Sequence, residues 1–386
     1  MLDNKRVAVI GGGPGGLTLA RLLQNKGVNV KVYERDSSRD VRVQGATLDL
    51  HYESGLRALR AAGLMDAFKE NYRPGADNVR ILNKDAVIVF DEHNNVSEDD
   101  FNDEWFRPEI DRAPLRNLLL NSLKPDTVVW DSHIVSLEKA DTAWKIIFKN
   151  GTTAIADVVI GADGANSKIR PFVTPVTRHY SGVTILERNI YDAKNNAPKI
   201  YGLLQGGKIM AFGDSKTITM SAKGDGSLDF YIGFKAVDGW VKKSGIDFKN
   251  NKEVLKWFKK EYAVWDDSWQ ELFEYTESHF TPRPLYCMPL DQHWEAQPDI
   301  TLIGDAAHLM PPYAGEGVNM AMLDALQLCE CLTNGDFTDI KSAIAGYEEE
   351  MFKRFAEVGQ ESLDNTHWMH SQEGLTKIIE LFTQRM

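Results

Sequence analysis

The sequence has few cysteines and shows no pattern of metal ligands. Its 386 residues include 3 cysteines, an odd number that gives no disulfide framework and fits a reducing compartment. Cys329 and Cys331 lie two apart in a helical pattern, where they do not share a face. His367 and His370 can share a face, but no carboxylate pattern accompanies them. We therefore expect no metal site.

Strongly basic runs and long apolar runs are also absent. The formal net charge is −12, and nucleic-acid binding needs a positive footprint. No apolar stretch reaches the ~18 residues of a membrane span, and the strand beginning near residue 6 leaves no room for a secretory signal. We expect a cytoplasmic monomer with neither a nucleic acid nor a membrane as partner.

Glycines, in contrast, are concentrated in the stretch VAVIGGGPGGL, residues 7–17. The flanking residues predict a buried parallel strand before the glycines and a helix after them. Gly11, Gly13 and Gly16 fit the dinucleotide fingerprint, which provides a tight turn, close approach of a pyrophosphate and close helix packing. Glu34 ends the next strand, where an acid takes ribose hydroxyls. This order favours FAD or NAD over NADP, and over a glycine-rich turn without a ligand.

Two later strands end in a similar way. They are followed by GADGANSKIR (161–170) and by GDAAHLMPPYAGEGVN (304–319). Ligands collect at the carboxyl ends of parallel strands, so both segments are expected to converge on the cleft of the first glycines. Between about 175 and 290, alternating strands predict a mostly antiparallel sheet that covers this cleft.

In this order the three motifs resemble those of the FAD-dependent aromatic hydroxylases, the class of para-hydroxybenzoate hydroxylase. The resemblance implies an α/β fold with a Rossmann-like FAD-binding domain (1–172 and 285–350) of the GR2 type. It also implies an inserted, mostly antiparallel β-sheet substrate domain (173–284) and a C-terminal helical segment (351–386). The implied activity is NADPH- and O₂-dependent hydroxylation of an aromatic or polycyclic small molecule through a flavin C4a-hydroperoxide. No catalytic side chain is expected, because the flavin carries the chemistry.

Shorter runs narrow the resemblance to the tetracycline-inactivating flavin monooxygenases of the TetX type. These runs are VYERD (32–36), GATLDLH (45–51), PEIDRAPLR (108–116), IGDAAHLMPPYAGEGVN (303–319) and YEEEMF (347–352). A tetracycline-type antibiotic is therefore one candidate substrate.

The resemblance also implies a set of cofactor-binding residues. It assigns the adenosine part of FAD to Glu34 and Arg35, the ribityl chain to Asp305, and NADPH use to Arg42. Alternatives are an N-cap role for Asp305, a solvated charge for Arg42, and a surface ion pair for Arg112. The full set is Gly11, Gly13, Gly16, Glu34, Arg35, Arg42, Asp49, Arg112, Asp163, Asp305, Pro312, Gly315, Gly317, Val318 and Asn319.

The positions that contact substrate in the TetX type are less well retained. Glu187, Lys208 and Asp229 replace a glutamine, an arginine and a histidine, and lysine lacks the planar fork of arginine. The two acids would repel an acidic enolate unless Lys208 compensates. The matching positions are Met210, Tyr313, Asn365 and Met369, although both methionines also suit simple core packing. A related polycyclic substrate is thus as plausible as tetracycline.

Other functions on the same first motif have their own requirements. A flavin-dependent halogenase needs a Trp-x-Trp-x-Ile-Pro stretch, and a disulfide reductase needs a cysteine pair after the first helix; the sequence contains neither. A different flavin oxidoreductase and a non-catalytic flavin carrier stay open as alternatives.

Overall fold

The computed structural model describes residues 1–41, 47–93, 100–275 and 277–384. The strands, numbered in chain order, are β1 (Val7–Ile10), β2 (Val30–Tyr33), β3 (Leu48–Asp49), β4 (Val79–Asn83), β5 (Ile88–Asp91), β6 (Glu109–Ile110), β7 (Val128–Val129), β8 (Ile134–Ala140), β9 (Ala143–Phe148), β10 (Thr153–Ala156), β11 (Val158–Gly161), β12 (His179–Ile190), β13 (Lys208–Gly213), β14 (Lys216–Ala222), β15 (Leu228–Lys235), β16 (Thr281–Cys287) and β17 (Ile300–Leu302).

The α-helices are numbered in the same way. They are α1 (Pro14–Asn25), α2 (Gly55–Ala62), α3 (Met65–Lys69), α4 (Arg112–Asn121), α5 (Arg170–Val173), α6 (Ala193–Asn196), α7 (Pro198–Leu204), α8 (Trp240–Lys243), α9 (Asn251–Glu261), α10 (Glu271–Glu274), α11 (Asp305–His308), α12 (Gly317–Thr333), α13 (Ile340–Met369) and α14 (Gly374–Gln384). Short 3₁₀ helices lie at Gly164–Asn166, Asp267–Gln270 and Pro312–Ala314.

The first sheet is parallel, with strand order β17-β11-β1-β2-β7. Its central strand β1 is buried along its whole length, as expected for a parallel strand covered on both faces. Helices α1 and α12 pack in the same hydrophobic core as this sheet. The chain returns to the sheet at β11 and at β17, so the predicted α/β fold with a Rossmann-like domain is confirmed.

The second sheet has the order β16-β12-β15-β14-β13-β4-β5 and is antiparallel except where β13 pairs with β4. Along β15, Leu228, Phe230 and Ile232 face a core that also contains Phe258 of α9. The alternate residues Asp229 and Tyr231 face the other way. This alternation gives the sheet one face on its own core and one face toward the cofactor domain.

Two boundaries differ from the expected ones. Strands β4 and β5, which the sequence assigned to the first domain, hydrogen-bond into the second sheet. Helix α13 runs without interruption across residue 350, where the C-terminal segment was expected to begin. Within the described residues, no helix is long and apolar enough to cross a membrane.

Candidate cofactor and substrate site

The three glycine motifs meet at the carboxyl edge of the parallel sheet, as predicted. A side chain on Gly11 would lie 2.3 Å from the carbonyl oxygen of Ala162, so the first motif abuts the central one. The Ile303 amide donates to the Gly161 carbonyl oxygen at 2.9 Å, which joins the central motif to the late one. A Cβ on Gly15 would lie 2.8 Å from the Ala321 carbonyl oxygen, so α1 and α12 also approach closely.

The glycines of these motifs fall into two groups. A Cβ on Gly16 would meet the Gly11 carbonyl oxygen at 2.1 Å, so this glycine allows α1 to pack on the strand. A Cβ on Gly13 or on Gly317 would have no protein atom within 4 Å. Both positions lie at the amino end of a helix, where unpaired N–H groups favour a phosphate or another anion. The open backbone at both helix ends fits the pyrophosphate and ring of a dinucleotide such as FAD.

Glu34 lies at the end of β2 and is buried beside the first glycine loop. Its carboxylate accepts hydrogen bonds from the backbone N–H of Gly12 at 2.5 Å and of Asp36 at 3.0 Å. Glu34 therefore shapes the glycine loop in addition to its predicted ribose contact. Arg35 is exposed.

Asp163 of the central motif stabilises its own turn. It accepts hydrogen bonds from the Ser167 hydroxyl and the Lys168 amide, both at 2.6 Å, and burial raises its pKa. Arg170 at the end of the same motif is buried and donates to the carbonyl oxygens of Ala306 and Ala307. The central motif thus holds the late motif in place.

Asp305 is the first residue of α11, and Gly304 holds the N-cap position, so the N-cap alternative for Asp305 does not apply. The Asp305 side chain is accessible to solvent, yet burial by the surrounding protein raises its pKa against the positive charges of His308 and Arg112. An accessible carboxylate enclosed in this way lies in a cleft. Neither the Asp305 nor the Arg112 side chain has a hydrogen bond or ion pair with another described residue.

The alternative role of Arg112, a surface ion pair, is also unsupported by the geometry. The Asp111 carboxylate faces Arg73 and the Gly224 amide, and Glu109 pairs with Lys208. Arg112 is close enough to influence the pKa of both Asp305 and Tyr231. It therefore lies between the cofactor groove and the second sheet.

A buried ionic cluster supports α11 from behind. Asp324 of α12 accepts hydrogen bonds from the Gly304 amide at 2.7 Å and from His308 Nε2 at 2.6 Å, and it pairs with Arg354 at 2.5 Å. Although burial raises the pKa of Asp324, the charges of His308 and Arg354 outweigh this and lower it. The sequence analysis missed Asp324 and Arg354. Asp324 is 16 residues from His308 and 30 residues from Arg354, so no local pattern indicates these contacts.

The late loop closes on β3 through Asn319. This fully buried side chain accepts from the His51 amide at 2.9 Å and donates to the carbonyl oxygens of Asp49 and Gly315 at 3.0 and 3.3 Å. A Cβ on Gly315, which has a φ of +71°, would lie 3.4 Å from the Asp49 carboxylate. Val318 packs at the edge of the main core, and Pro312 is exposed. Asn319 is thus a loop anchor.

Helix α13 fastens the other side of the late loop. The Ser362 hydroxyl donates to the Pro311 carbonyl oxygen at 2.6 Å, and the Asn365 amide donates to the Tyr313 carbonyl oxygen at 3.0 Å. Buried His370 donates from Nδ1 to the Thr366 carbonyl oxygen, so its Nε2 is left as an acceptor 3.4 Å from the Tyr313 hydroxyl. Burial lowers the pKa of His370 to about 4. Asn365 therefore positions Tyr313 through its backbone.

The register of the second sheet brings the predicted substrate residues onto one face. Lys208 lies opposite Ser221, which lies opposite Asp229. In the next row, Met210 of β13 and Glu187 of β12 flank the same pair of central strands. Met369 is buried in a small apolar cluster with Met210 and Tyr313 at its edge.

The charged residues of this face are mostly committed to each other. Lys208 forms an ion pair with buried Glu109, and Glu187 forms one with Arg283. Asp229 is almost fully buried, and neither of its carboxyl oxygens meets hydrogen-bond geometry with a described residue. Burial raises its pKa to about 6. Lys208 is therefore engaged with a protein carboxylate and does not offer a free charge to a substrate anion.

Tyr231 is a site residue that the sequence analysis missed. It lies between Glu187 and Thr219 on the cavity face and packs against the apolar cluster of Val183, Ile185 and Leu285, which Tyr313 also contacts. Burial raises the pKa of its hydroxyl, and the negative charge of Asp229 adds to this. The alternation of LDFYIGF, with Asp229 two residues earlier, was the available signal. Arg42 lies outside the described residues.

Comparison with known proteins agrees with this geometry. A family model described as "FAD binding domain" matches residues 4–206 and 292–355, more than half of the chain. The chain belongs to this FAD-binding family, of the para-hydroxybenzoate hydroxylase type. The resemblance to FAD-dependent aromatic hydroxylases, inferred from the motifs, is therefore confirmed. The members of this family are enzymes.

Relatives span the whole family fold. The chain is 27% identical to "Monooxygenase penA" of Penicillium thymicola over 97% of both chains. Among solved structures, Klebsiella pneumoniae HpxO complexed with FAD and uric acid has a TM-score of 0.76 at 19% identity, covering 100% of this chain and 93% of that one. Tetracycline destructase Tet(51) has a TM-score of 0.74 at 17% identity, covering 97% and 96%. At these identities the structural likeness concerns the fold.

The residues of this family member fit FAD. The backbone at Gly13 and Gly317 is open, the Asp305 side chain is accessible and Arg112 is half-buried, and these positions lie at the amino ends of α1, α12, α11 and α4. A dinucleotide supplies the anion and hydroxyl groups that these positions favour.

Proposed function

We propose that this protein is an FAD-dependent, NADPH-consuming monooxygenase that hydroxylates an aromatic or polycyclic small molecule. The observation that carries the proposal is the meeting of the three glycine motifs, with Tyr313 of the late loop in shared apolar clusters with Met210 and Tyr231 of the second sheet. Apolar and aromatic side chains beside the FAD-binding motifs suit a planar ring substrate. When bound, FAD supplies the redox chemistry and the activation of oxygen.

The protein contributes binding, orientation and exclusion of water. The apolar cluster of Val183, Ile185 and Leu285 gives the substrate ring a dry wall on one side of Tyr231. The bonds from α13 fix Tyr313, which packs against the same cluster. In general, positioning of this kind lowers the activation free energy by several kcal/mol.

The charged side chains near Tyr231 limit the class of substrate. Lys208 pairs with Glu109 and Arg283 pairs with Glu187, so among the described charged residues near this face Arg112 is left for an ionised oxygen of the substrate or of the flavin. We propose a substrate with one acidic phenol or enol hydroxyl beside an apolar ring system. Tetracyclines satisfy this description, as do simpler phenols. The same fold occurs in HpxO, which was solved with FAD and uric acid, and in the tetracycline destructase Tet(51).

The test combines flavin content, NADPH consumption and product mass. Purified protein should carry FAD, and it should oxidise NADPH faster when a tetracycline or a phenol is added. The product should gain one oxygen atom that comes from isotopically labelled O₂. NADPH oxidation without a labelled product from any compound would indicate another flavin oxidoreductase, and background oxidation by FAD-loaded protein would indicate a carrier.

A further inference from the structure

The imidazole of His51 lies between two carboxylates, one on β3 and one in the late loop. Its Nε2 is 3.0 Å from Asp49 Oδ2 at the end of β3, and its Nδ1 is 2.7 Å from Glu316 Oε1 in the late loop. The His51 side chain is 10% exposed. An ionised carboxylate only accepts hydrogen bonds, so both ring nitrogens donate, and a ring with two N–H groups is a cation.

The surrounding charges alternate in sign. The positive charge of Lys208 on β13 lowers the pKa of Asp49. Lys208 forms an ion pair with Glu109, and Glu109 lies opposite Asp49 where β3 pairs with β6. Among the described residues, the charged groups around His51 are thus Glu316 and Asp49 in contact, with Lys208 and Glu109 behind Asp49. If His51 loses a proton, one ring nitrogen turns a lone pair toward a carboxylate oxygen, and the contact becomes repulsive.

We propose that His51 is a positioning residue for FAD, whose protonated ring holds the late loop against β3 and thereby determines how tightly the chain retains FAD. The proposal rests on FAD binding, which the family shows, and on the predicted cofactor contact of Asp49. It does not depend on which substrate is oxidised. The anchor through Asn319 is separate, because its bonds to β3 and to Gly315 do not involve the imidazole.

The direction of the pH dependence follows from the contacts. Burial lowers the pKa of His51, but the hydrogen bonds from its ring to Asp49 and Glu316 outweigh burial and raise the pKa to about 9. The same contact lowers the pKa of Asp49 to about 2, although burial opposes it. The stabilisation of the folded loop by a histidine with a raised pKa is complete when the pH is below the ordinary histidine pKa of 6.5. It is lost as the pH rises through about 9. Glu109, whose pKa burial raises to about 7, also titrates within this range, but it is present in both wild type and His51→Gln, so the difference between their profiles still reports His51.

The experiment measures the Kd of FAD by flavin fluorescence with apo-protein, from about pH 7 to about pH 10. Wild-type protein should bind with constant affinity up to about pH 8 and lose about tenfold by pH 10. The His51→Gln variant should bind about tenfold more weakly at pH 7.5 and lack this loss, because its amide is uncharged at every pH and carries both donors on one nitrogen. Ionisation of the flavin is common to both proteins, so the difference between the profiles reports His51.

A second variant separates positioning from folding. Glu316→Gln keeps an acceptor oxygen for Nδ1 but removes one negative charge, so the midpoint of the wild-type loss should move to lower pH by about one unit. Thermal unfolding of the apo-proteins at pH 7 shows whether each variant is folded. Identical profiles for wild type and His51→Gln, or an unmoved midpoint in Glu316→Gln, overturn the proposal. Failure of wild-type protein to bind FAD at any pH would instead overturn FAD binding itself.

Discussion

The guanidinium of Arg170 donates from Nη1 to the carbonyl oxygen of Ala307 at 2.7 Å, and this bond joins the central motif to the late one. The same side chain donates to Ala306, Val176 and Gln292 at 3.1, 3.1 and 2.7 Å. Four acceptors that converge on one planar fork explain why an arginine ends the motif, since lysine offers one compact group of donors.

Arg170→Lys should therefore destabilise the protein by about 3 kcal/mol, because several buried carbonyl oxygens lose their donor. The measurement is the free energy of unfolding in denaturant without FAD. Lys168→Met, at an exposed position in the same turn, is the control and should change stability little. Equal stability of wild type and Arg170→Lys would show that these contacts do not contribute to the fold.

The two groups of glycines make opposite predictions for the same substitution. Gly13→Ala adds a methyl group that meets no protein atom within 4 Å, so the apo-protein should unfold as wild type does, while FAD binding weakens by about tenfold or more. Gly16→Ala places a Cβ 2.1 Å from the Gly11 carbonyl oxygen, so it should lower the stability of the apo-protein itself. Thermal unfolding and FAD titration of both variants check this. Unchanged FAD affinity in Gly13→Ala would remove this turn from the cofactor site.

How much of this site is predictable from sequence depends on the distance between partners. The first glycine loop and Glu34 are local, since one strand, one turn and one helix fix them. The resemblance to the TetX type assigned Lys208 to the substrate site, and the sheet register places it in one row with Asp229. The ion pair of Lys208 with Glu109 was not predictable, because it joins β13 to β6 across 99 residues.

The same limit applies to strand pairing and to the late loop. The parallel pairing of β4 with β13 moved residues 79–83 into the second sheet, and no local pattern specifies that partner. For Asn365 the sequence indicated the correct neighbourhood but a different role, because its amide bonds the Tyr313 backbone. Its predicted contact with substrate stays a prediction.

Asp305→Ala should weaken FAD retention without weakening the fold. The carboxylate is accessible and has no hydrogen bond with another described residue, so its removal costs the apo-protein little. The flavin content after gel filtration, read from absorbance, should fall relative to wild type, whereas Asp3→Ala at an exposed position should retain FAD. Full flavin content in Asp305→Ala would mean that the late motif does not contact the cofactor.

Asp229 gives the protein a pH dependence that one substitution should remove. Burial raises the pKa of this carboxyl from its ordinary value near 3.8 to about 6, partly opposed by the charge of Lys223. Ionising it in the folded state therefore costs free energy, so the contribution of Asp229 to stability is highest below about pH 4 and falls between about pH 4 and pH 6, by about 2 to 3 kcal/mol. Asp229→Asn has the same shape and no charge, so this fall should disappear and the variant should be more stable than wild type at pH 7.

Denaturant unfolding across this range measures the effect, with Asp291→Asn at an exposed position as the control. If wild type and Asp229→Asn showed the same slope of stability against pH, the Asp229 carboxyl would not be desolvated in solution.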